Sequence, residues 1–198
     1  MDSIKQIYRI GHGPSSSHTM GPKRAASIFL KSAEGKDADH FRVTLYGSLA
    51  ATGRGHLTDQ AIIDTLSQKG EVEIVWKPDV FLKFHPNGMK FEALGTDGST
   101  VDSWTVFSIG GGTLANEHFN EQTERKVYEM SHISDILQWC DSTGYSFWEY
   151  VEQCEGKEII EYLREVWDTM QKAVERGLNA EGAVSYTHLR AHETLANL

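Results

Sequence analysis

Two cysteines, four prolines and no long apolar run set the first limits on this chain of 198 residues. Cys140 and Cys154 cannot make a disulfide framework, and so sparse a use of cysteine suits a reducing cytoplasm. No apolar stretch approaches the roughly 18 residues of a membrane span. The opening Met1-Asp2-Ser3-Ile4-Lys5 lacks the basic-then-apolar order of a signal peptide. Basic runs are missing too: 19 Lys and Arg stand against 28 Asp and Glu, a net charge of −9. That balance excludes the basic face of a nucleic-acid binder and disfavours an anionic membrane surface. Neither an internal repeat nor a low-complexity segment interrupts the chain. What is present, 39% hydrophobic and 24% charged residues with 18 Gly, is the composition of a folded domain, one by length, with an appendage.

The pattern changes along the chain. Ile4–Ile10 is a short apolar-rich lead into Gly11-His12-Gly13-Pro14, which cannot continue regular structure easily. Pro22 suits the first turn of a helix carrying Ala25, Ala26, Ile28, Phe29 and Leu30. His40–Tyr46 alternates as a strand, Gly47–Gly55 is a tight helix or a loop, and Thr58-Asp59 opens a helix with Ala61, Ile62, Ile63 and Leu66. Glu71–Trp76 reads as a strand, Val80–Phe84 as a short one, and Met89–Leu94 and Thr100–Ile109 as a hairpin turning at Thr96-Asp97-Gly98-Ser99. After Gly112 the character becomes helical: Ile133–Cys140, capped by Ser131 or Ser134, then Phe147–Cys154, then Lys157–Arg176 ended by Gly177. The long helix bears one stripe of Ile159, Ile160, Leu163, Val166, Trp167, Met170 and Val174. The expected fold is α+β: a small mixed or antiparallel sheet with packed helices, followed by a helical C-terminal segment.

Four segments carry chemistry. Ser15-Ser16-Ser17-His18-Thr19 lies before the first helix, where hydroxyls, unpaired backbone N–H groups and the helix dipole suit a carboxylate or phosphate. His18 adds a group that titrates near neutrality; ordinary helix capping is the competing reading. His56, between Gly55 and the Thr58-Asp59 helix start, is a candidate general base oriented by Asp59, or else a surface-loop histidine. Its segment is neither a dinucleotide fingerprint nor a phosphate-binding P-loop, since the spacing is wrong and the lysine is absent. His85-Pro86-Asn87-Gly88-Met89 reads as a turn with a histidine at its edge. Ser108-Ile109-Gly110-Gly111-Gly112 lets the backbone approach a ligand or form an anion nest, with a plain strand-ending loop as the alternative. Two cysteines are too few for a four-iron cluster, which needs at least three protein thiolates, and they read as core thiols. The stretch 183–198 has the look of a translated cloning adapter. Its His188 and His192 have a helical metal-ligand spacing but not the order of a zinc protease helix.

Taken in order, Gly13-Pro14-Ser15-Ser16-Ser17-His18-Thr19-Met20-Gly21-Pro22, Tyr46-Gly47-Ser48-Leu49 with Gly53-Arg54-Gly55-His56-Leu57-Thr58-Asp59, His85-Pro86-Asn87-Gly88-Met89 and Ser108-Ile109-Gly110-Gly111-Gly112 resemble the iron–sulfur-dependent L-serine dehydratases, or L-serine ammonia-lyases. The resemblance covers about residues 1–182. It implies a β-type α+β domain over 1–155, a helical linker over 156–182 toward an α-type domain, and a foreign tail over 183–198. It also implies deamination of L-serine to pyruvate and ammonia by base-assisted β-elimination. The 4Fe–4S cluster that acts as Lewis acid would be held in the complete enzyme by cysteines of the α-type domain, with no metal ligand in this chain. On this reading the chain is a fragment, inactive alone, cytoplasmic, and able to form a homodimer. Implied roles are His56 as base, His18 as its partner in substrate positioning or proton transfer, and Ser15, Ser16, Ser17, Thr19, Asp59, Asn87, Gly110, Gly111 and Gly112 as substrate-binding.

Two other classes compete. A non-catalytic module that binds serine or a related anion would share the fold and keep ligand binding after loss of His56. A metal hydrolase built on His18, His56 and His85 would need a ligand spacing that the chain does not show.

Overall fold

A computed structural model describes residues 1–35, 38–120 and 126–180. They fall into two compact units, one over Gly11–Gln122 and one made of Met1–Ile10 with Thr123–Ala183.

The first unit is a six-stranded mixed sheet with helices, the α+β class expected. Its strands are β1 (His40–Tyr46), β2 (Glu71–Lys77), β3 (Gly88–Leu94), β4 (Thr100–Gly110), β5 (Thr113–Asn116) and β6 (Phe119–Asn120), in the order β2-β1-β3-β4-β5-β6. β1 and β2 run parallel; every other pair is antiparallel. The alternation in β1 places Phe41, Val43 and Leu45 on one face, and register brings Phe91 opposite Val43 and Trp104 opposite Phe91. Helix α1 (Gly21–Ser32) lays Ala25, Ala26 and Phe29 on that face, and the two alanines let it close on the sheet. Phe29 meets Phe91 at 5.4 Å and the edge of Phe41 at 6.4 Å between ring centroids. Each such ring, fully buried, stabilises the fold by about 2–3 kcal/mol. The parallel pair needs a crossover, supplied by α2 (Gly47–Thr52) and α3 (Thr58–Leu66). Between β3 and β4 the Asp-Gly turn is found as expected, with Gly98 at φ 79° and Asp97 Oδ1 accepting from the Ser99 N–H and hydroxyl.

Three local expectations need correction in this unit, and one open alternative is settled. Val80–Phe84 is not a strand: the Val80 N–H closes a turn on Lys77, its carbonyl accepts from Gly47 N–H, and Phe81 stays exposed. The chain does not turn helical after Gly112, because β5 and β6 first extend the sheet. Of the two alternatives for Gly47–Gly55 the helix is found, as α2, with a turn after it. The helix of Pro22 begins earlier than expected, with one turn of π-helix over Ser16–Met20 running into α1.

The second unit is helical: a 3-10 turn (Ile4–Gln6), α4 (Ile133–Thr143), α5 (Phe147–Glu155) and α6 (Glu158–Asn179). Its small core is Tyr128, Ile136 and Tyr150, with Trp139 against Tyr150 at 5.1 Å. α5 starts with a capping box, in which Ser146 and Glu149 satisfy each other's backbone N–H. α4 is preceded by His132 at the cap position rather than by Ser131 or Ser134, and Ser134 Oγ donates instead to Asp135. Gly177 does not end α6, which runs on to Asn179; one glycine costs a helix only about 1 kcal/mol. Of the expected stripe, Ile159 and Val166 are buried, whereas Trp167, Met170 and Val174 are exposed. Among the described residues no helix is long and apolar enough to cross a membrane. The adapter-like stretch 183–198 lies outside the described residues.

Candidate active site

Ser15 caps the π-helical turn: its hydroxyl accepts from His18 N–H at 3.2 Å, and its carbonyl takes both the Thr19 and the Met20 N–H. The turn lifts His18 toward the start of α2. There the His18 ring lies between two hydroxyls, Ser17 Oγ at 2.9 Å from Nδ1 and Ser48 Oγ at 3.3 Å from Nε2.

His56 comes from the loop between α2 and α3. Its Nδ1 donates to the carbonyl of Thr52 at 3.0 Å. A carbonyl can only accept, so the neutral ring carries its proton on Nδ1 and its basic lone pair on Nε2. His56 as a residue is 8% exposed, as suits a base shielded from bulk water. Leu57, immediately after it, has φ 55°, the one non-glycine residue with positive φ among those described. Such a strained position persists only where its surroundings over-determine it. His18 and His56 stack at 4.5 Å between centroids, tilted by 32°.

The remaining motifs close in from the sheet. Ser48 N–H, at the start of α2, donates to the carbonyl of Pro86 at 3.1 Å. Next along that loop, Asn87 brackets Ser108: its Nδ2 donates to the Ser108 carbonyl at 3.1 Å, and its carbonyl accepts the Ser108 N–H at 3.0 Å. The His85 Nδ1 accepts the Asn87 N–H at 3.1 Å, and burial pushes the His85 pKa down, favouring the neutral ring that can accept. Gly110, Gly111 and Gly112 all have positive φ, and the turn they form lies against the π-helical turn. A Cβ on Gly112 would stand 3.4 Å from Met20 Cβ and 3.5 Å from the Ser16 carbonyl oxygen. Arg24, from α1, donates to the Gly112 carbonyl at 2.7 Å. Gly21 is pressed on Ser108, whose hydroxyl is fully buried and has no hydrogen-bond partner among the described residues.

The structure thus gathers all four segments into one locality, and within it separates the residues by what their atoms do. His18, His56, Ser17 and Ser48 form one connected group. Ser16 is exposed at the head of the turn, with Ser15 and Ser17 half-buried. Thr19 is fully buried and its hydroxyl donates to the His56 carbonyl. Asp59 sits in the first turn of α3 and accepts from Gln60 N–H, while the group holding His56 Nδ1 is the Thr52 carbonyl. A Cβ on Gly110 would meet nothing within 4 Å, so that residue stands at the open end of its turn. Ser48, Thr58 and the Thr52 carbonyl were not among the expected site residues. Ser48 could have been found from its place just after the strand-ending Gly47, whose φ is 49°. The Thr52 contact could not, because a main-chain oxygen carries no sequence signal.

No group of three or more His, Cys, Asp or Glu among the described residues could hold a metal ion. The two thiols, Cys140 and Cys154, belong to the helical unit. The described residues therefore do not fit a four-iron cluster.

Two imidazoles and a run of hydroxyls packed around a helix start are chemically able to bind a small anion and to accept or donate a proton. The chain belongs to the family described as serine dehydratase beta chain, whose model matches residues 3–72 and 64–119. It is 33% identical to L-serine dehydratase 1 of Escherichia coli (strain K12), over 93% of this chain and 51% of that protein. It is 31% identical to an L-serine dehydratase of Haemophilus influenzae, over 100% of this chain and 56% of that protein. A Streptomyces coelicolor L-serine dehydratase is 29% identical over 91% of this chain and 50% of that protein. The chain spans about half the length of these relatives, which are lyases by name.

Proposed function

We propose that this chain is the serine-contacting part of an L-serine ammonia-lyase, which converts L-serine to pyruvate and ammonia. The observation that carries the reading is the stacked His18–His56 pair beside the Ser15–Ser17 hydroxyls, in a chain of the serine dehydratase beta family.

The substrate carboxylate is placed at the head of the π-helical turn, where the N–H groups of Ser16 and Ser17 precede any intrahelical acceptor and the hydroxyls of Ser15, Ser16 and Ser17 surround them. On this reading Asn87, Asp59 and the Gly110–Gly112 turn complete the substrate-binding set. His56 Nε2 takes the α-proton. His18, held between Ser17 and Ser48, orients the substrate and stabilises the proton on its neighbour. Loss of the β-hydroxyl then gives aminoacrylate and water, and aminoacrylate hydrolyses to pyruvate and ammonia. Hydroxide is a poor leaving group, and the described residues supply no electrophile for it. We assign that task to a 4Fe–4S cluster ligated outside the described residues, in a further domain reached through 156–182. Without that domain the chain is inactive.

The test is pyruvate release from L-serine under anaerobic, iron- and sulfide-reconstituted conditions. The chain is assayed alone and with a separately expressed cluster-bearing domain of a relative. Silence alone with turnover on mixing supports the reading, and His56→Ala then lowers kcat by at least about a hundredfold. Near-normal turnover by His56→Ala would remove His56 from the chemistry.

A further inference from the structure

Two bonds cross between the segments that carry the histidines, and each runs the opposite way to the other. The Thr19 hydroxyl, next in sequence to His18, donates to the carbonyl of His56 at 2.7 Å. The Thr58 hydroxyl, two residues after His56, donates to the carbonyl of His18. Both threonines are fully buried. The positive φ of Leu57 turns the chain between His56 and Thr58, so that one segment can offer both an acceptor and a donor to the same turn.

A hydroxyl has one proton. That of Thr19 is committed to His56, and its oxygen already takes the Ser15 N–H at 3.3 Å. Thr19 therefore has no donor left for a substrate carboxylate, which moves it from the substrate-binding set to a different task. A β-branched residue suits that task, since its second substituent restricts χ1 and aims the hydroxyl.

We propose that Thr19 and Thr58 are positioning residues: a reciprocal pair of hydroxyl-to-carbonyl bonds that holds the backbones of His18 and His56 together and so sets the stacking of their rings before any substrate binds. The functional weight of this clamp rests on the reading of His18 and His56 as the working pair; its existence does not.

The closing experiment therefore reads the rings directly. In the chain labelled with 15N-histidine, long-range proton–nitrogen spectra report each imidazole's tautomer and shifts without any activity. The wild-type chain is expected to show His56 with its proton on Nδ1. Thr58→Val, though next to neither ring in sequence, should shift the His18 resonances and mix the His56 tautomers, and Thr19→Val should do the same. Thr→Ser at either position should restore the wild-type spectrum. The double valine variant should be no worse than either single one, because one broken bond already frees the pair. Unchanged ring signals in a folded valine variant, or effects that add, overturn the clamp. If a valine variant does not fold, the wild-type hydroxyl protons decide: both threonine Hγ1 signals must exchange slowly with water, and fast exchange of either overturns it. In the reconstituted mixture each valine variant should lower kcat about tenfold or more with KM changed less than about threefold. An intact clamp in a mixture indifferent to His56→Ala would sink the catalytic reading alone.

Discussion

Replacing Gly21 by alanine puts one methyl where the site is least able to accept it. A Cβ there would stand 2.3 Å from Ser108 Oγ and 2.9 Å from Ser108 Cβ. Both atoms belong to a fully buried residue of β4, whose main chain is held by the Asn87 carbonyl and the Asn87 side-chain amide, so the Cβ cannot swing aside. The backbone of Gly21 is itself ordinary, with φ −57°, so a side chain adds no strain of its own and gains slightly in helix propensity. The clash dominates, and overpacking of this kind costs about 1–3 kcal/mol. The hydroxyl responsible has no hydrogen-bond partner among the described residues, and a buried unsatisfied hydroxyl costs about 1–3 kcal/mol by itself. Ser108→Ala alone should therefore be neutral or stabilising, and Ser108→Gly, which clears both contact atoms, should recover most of the loss in the Gly21→Ala background. Urea denaturation of the four proteins gives the coupling between the two positions, expected to be at least about 1 kcal/mol. A Gly21→Ala chain as stable as wild type, or a double variant whose losses simply add, would refute the argument that Ser108 and the start of α1 are one packed unit. Should Ser108→Ala lower turnover in the reconstituted mixture while raising stability, its hydroxyl is held in reserve for the substrate.

Two further outcomes are expected. Leu57→Gly removes the left-handed strain beside His56, and because Leu57 is 51% exposed little burial is lost, so stability should rise by about 1 kcal/mol in the same denaturation assay; a fall would mean that the leucine packs where the structure leaves it open. In the helical unit Glu155 accepts from the Ser3 hydroxyl, the Ile4 N–H and the Tyr128 hydroxyl, and although partial burial alone would raise its pKa, those donors together hold it below the usual carboxylate range. A carboxylate depressed in the folded state adds stability above its unfolded pKa of about 4.3, and that stability is lost as pH falls through the folded value. Glu155→Gln should thus cost about 1–2 kcal/mol at pH 7 and progressively less below pH 4, as followed by urea midpoints across pH; a loss that does not shrink on acidification would refute the carboxylate as its source.

Sequence by itself settled the elements whose period and punctuation agree. Phe41, Val43 and Leu45 alternate and Asp97-Gly98 turns, and each is found in its place because these preferences are local. It also brought forward both histidines and the glycine run, since short motifs between glycines and prolines stand out without any fold. It misjudged Val80–Phe84, where five apolar-rich residues look like a strand but the chain turns back on Lys77 instead, and β5, which is too short to show a period and is made by its pairing with β4 and β6. Tertiary structure alone decided which groups each of these residues faces. Asp59 was read as the partner of His56 from proximity in sequence, yet a main-chain oxygen one helical turn back holds the ring. Thr19 was read with the serines because it follows them, yet it points inward, to a carbonyl 37 residues away. Residue types declare which groups can donate, accept or take a proton; which of them face one another is a matter of long-range geometry, and that is fixed only when the sheet and its helices close.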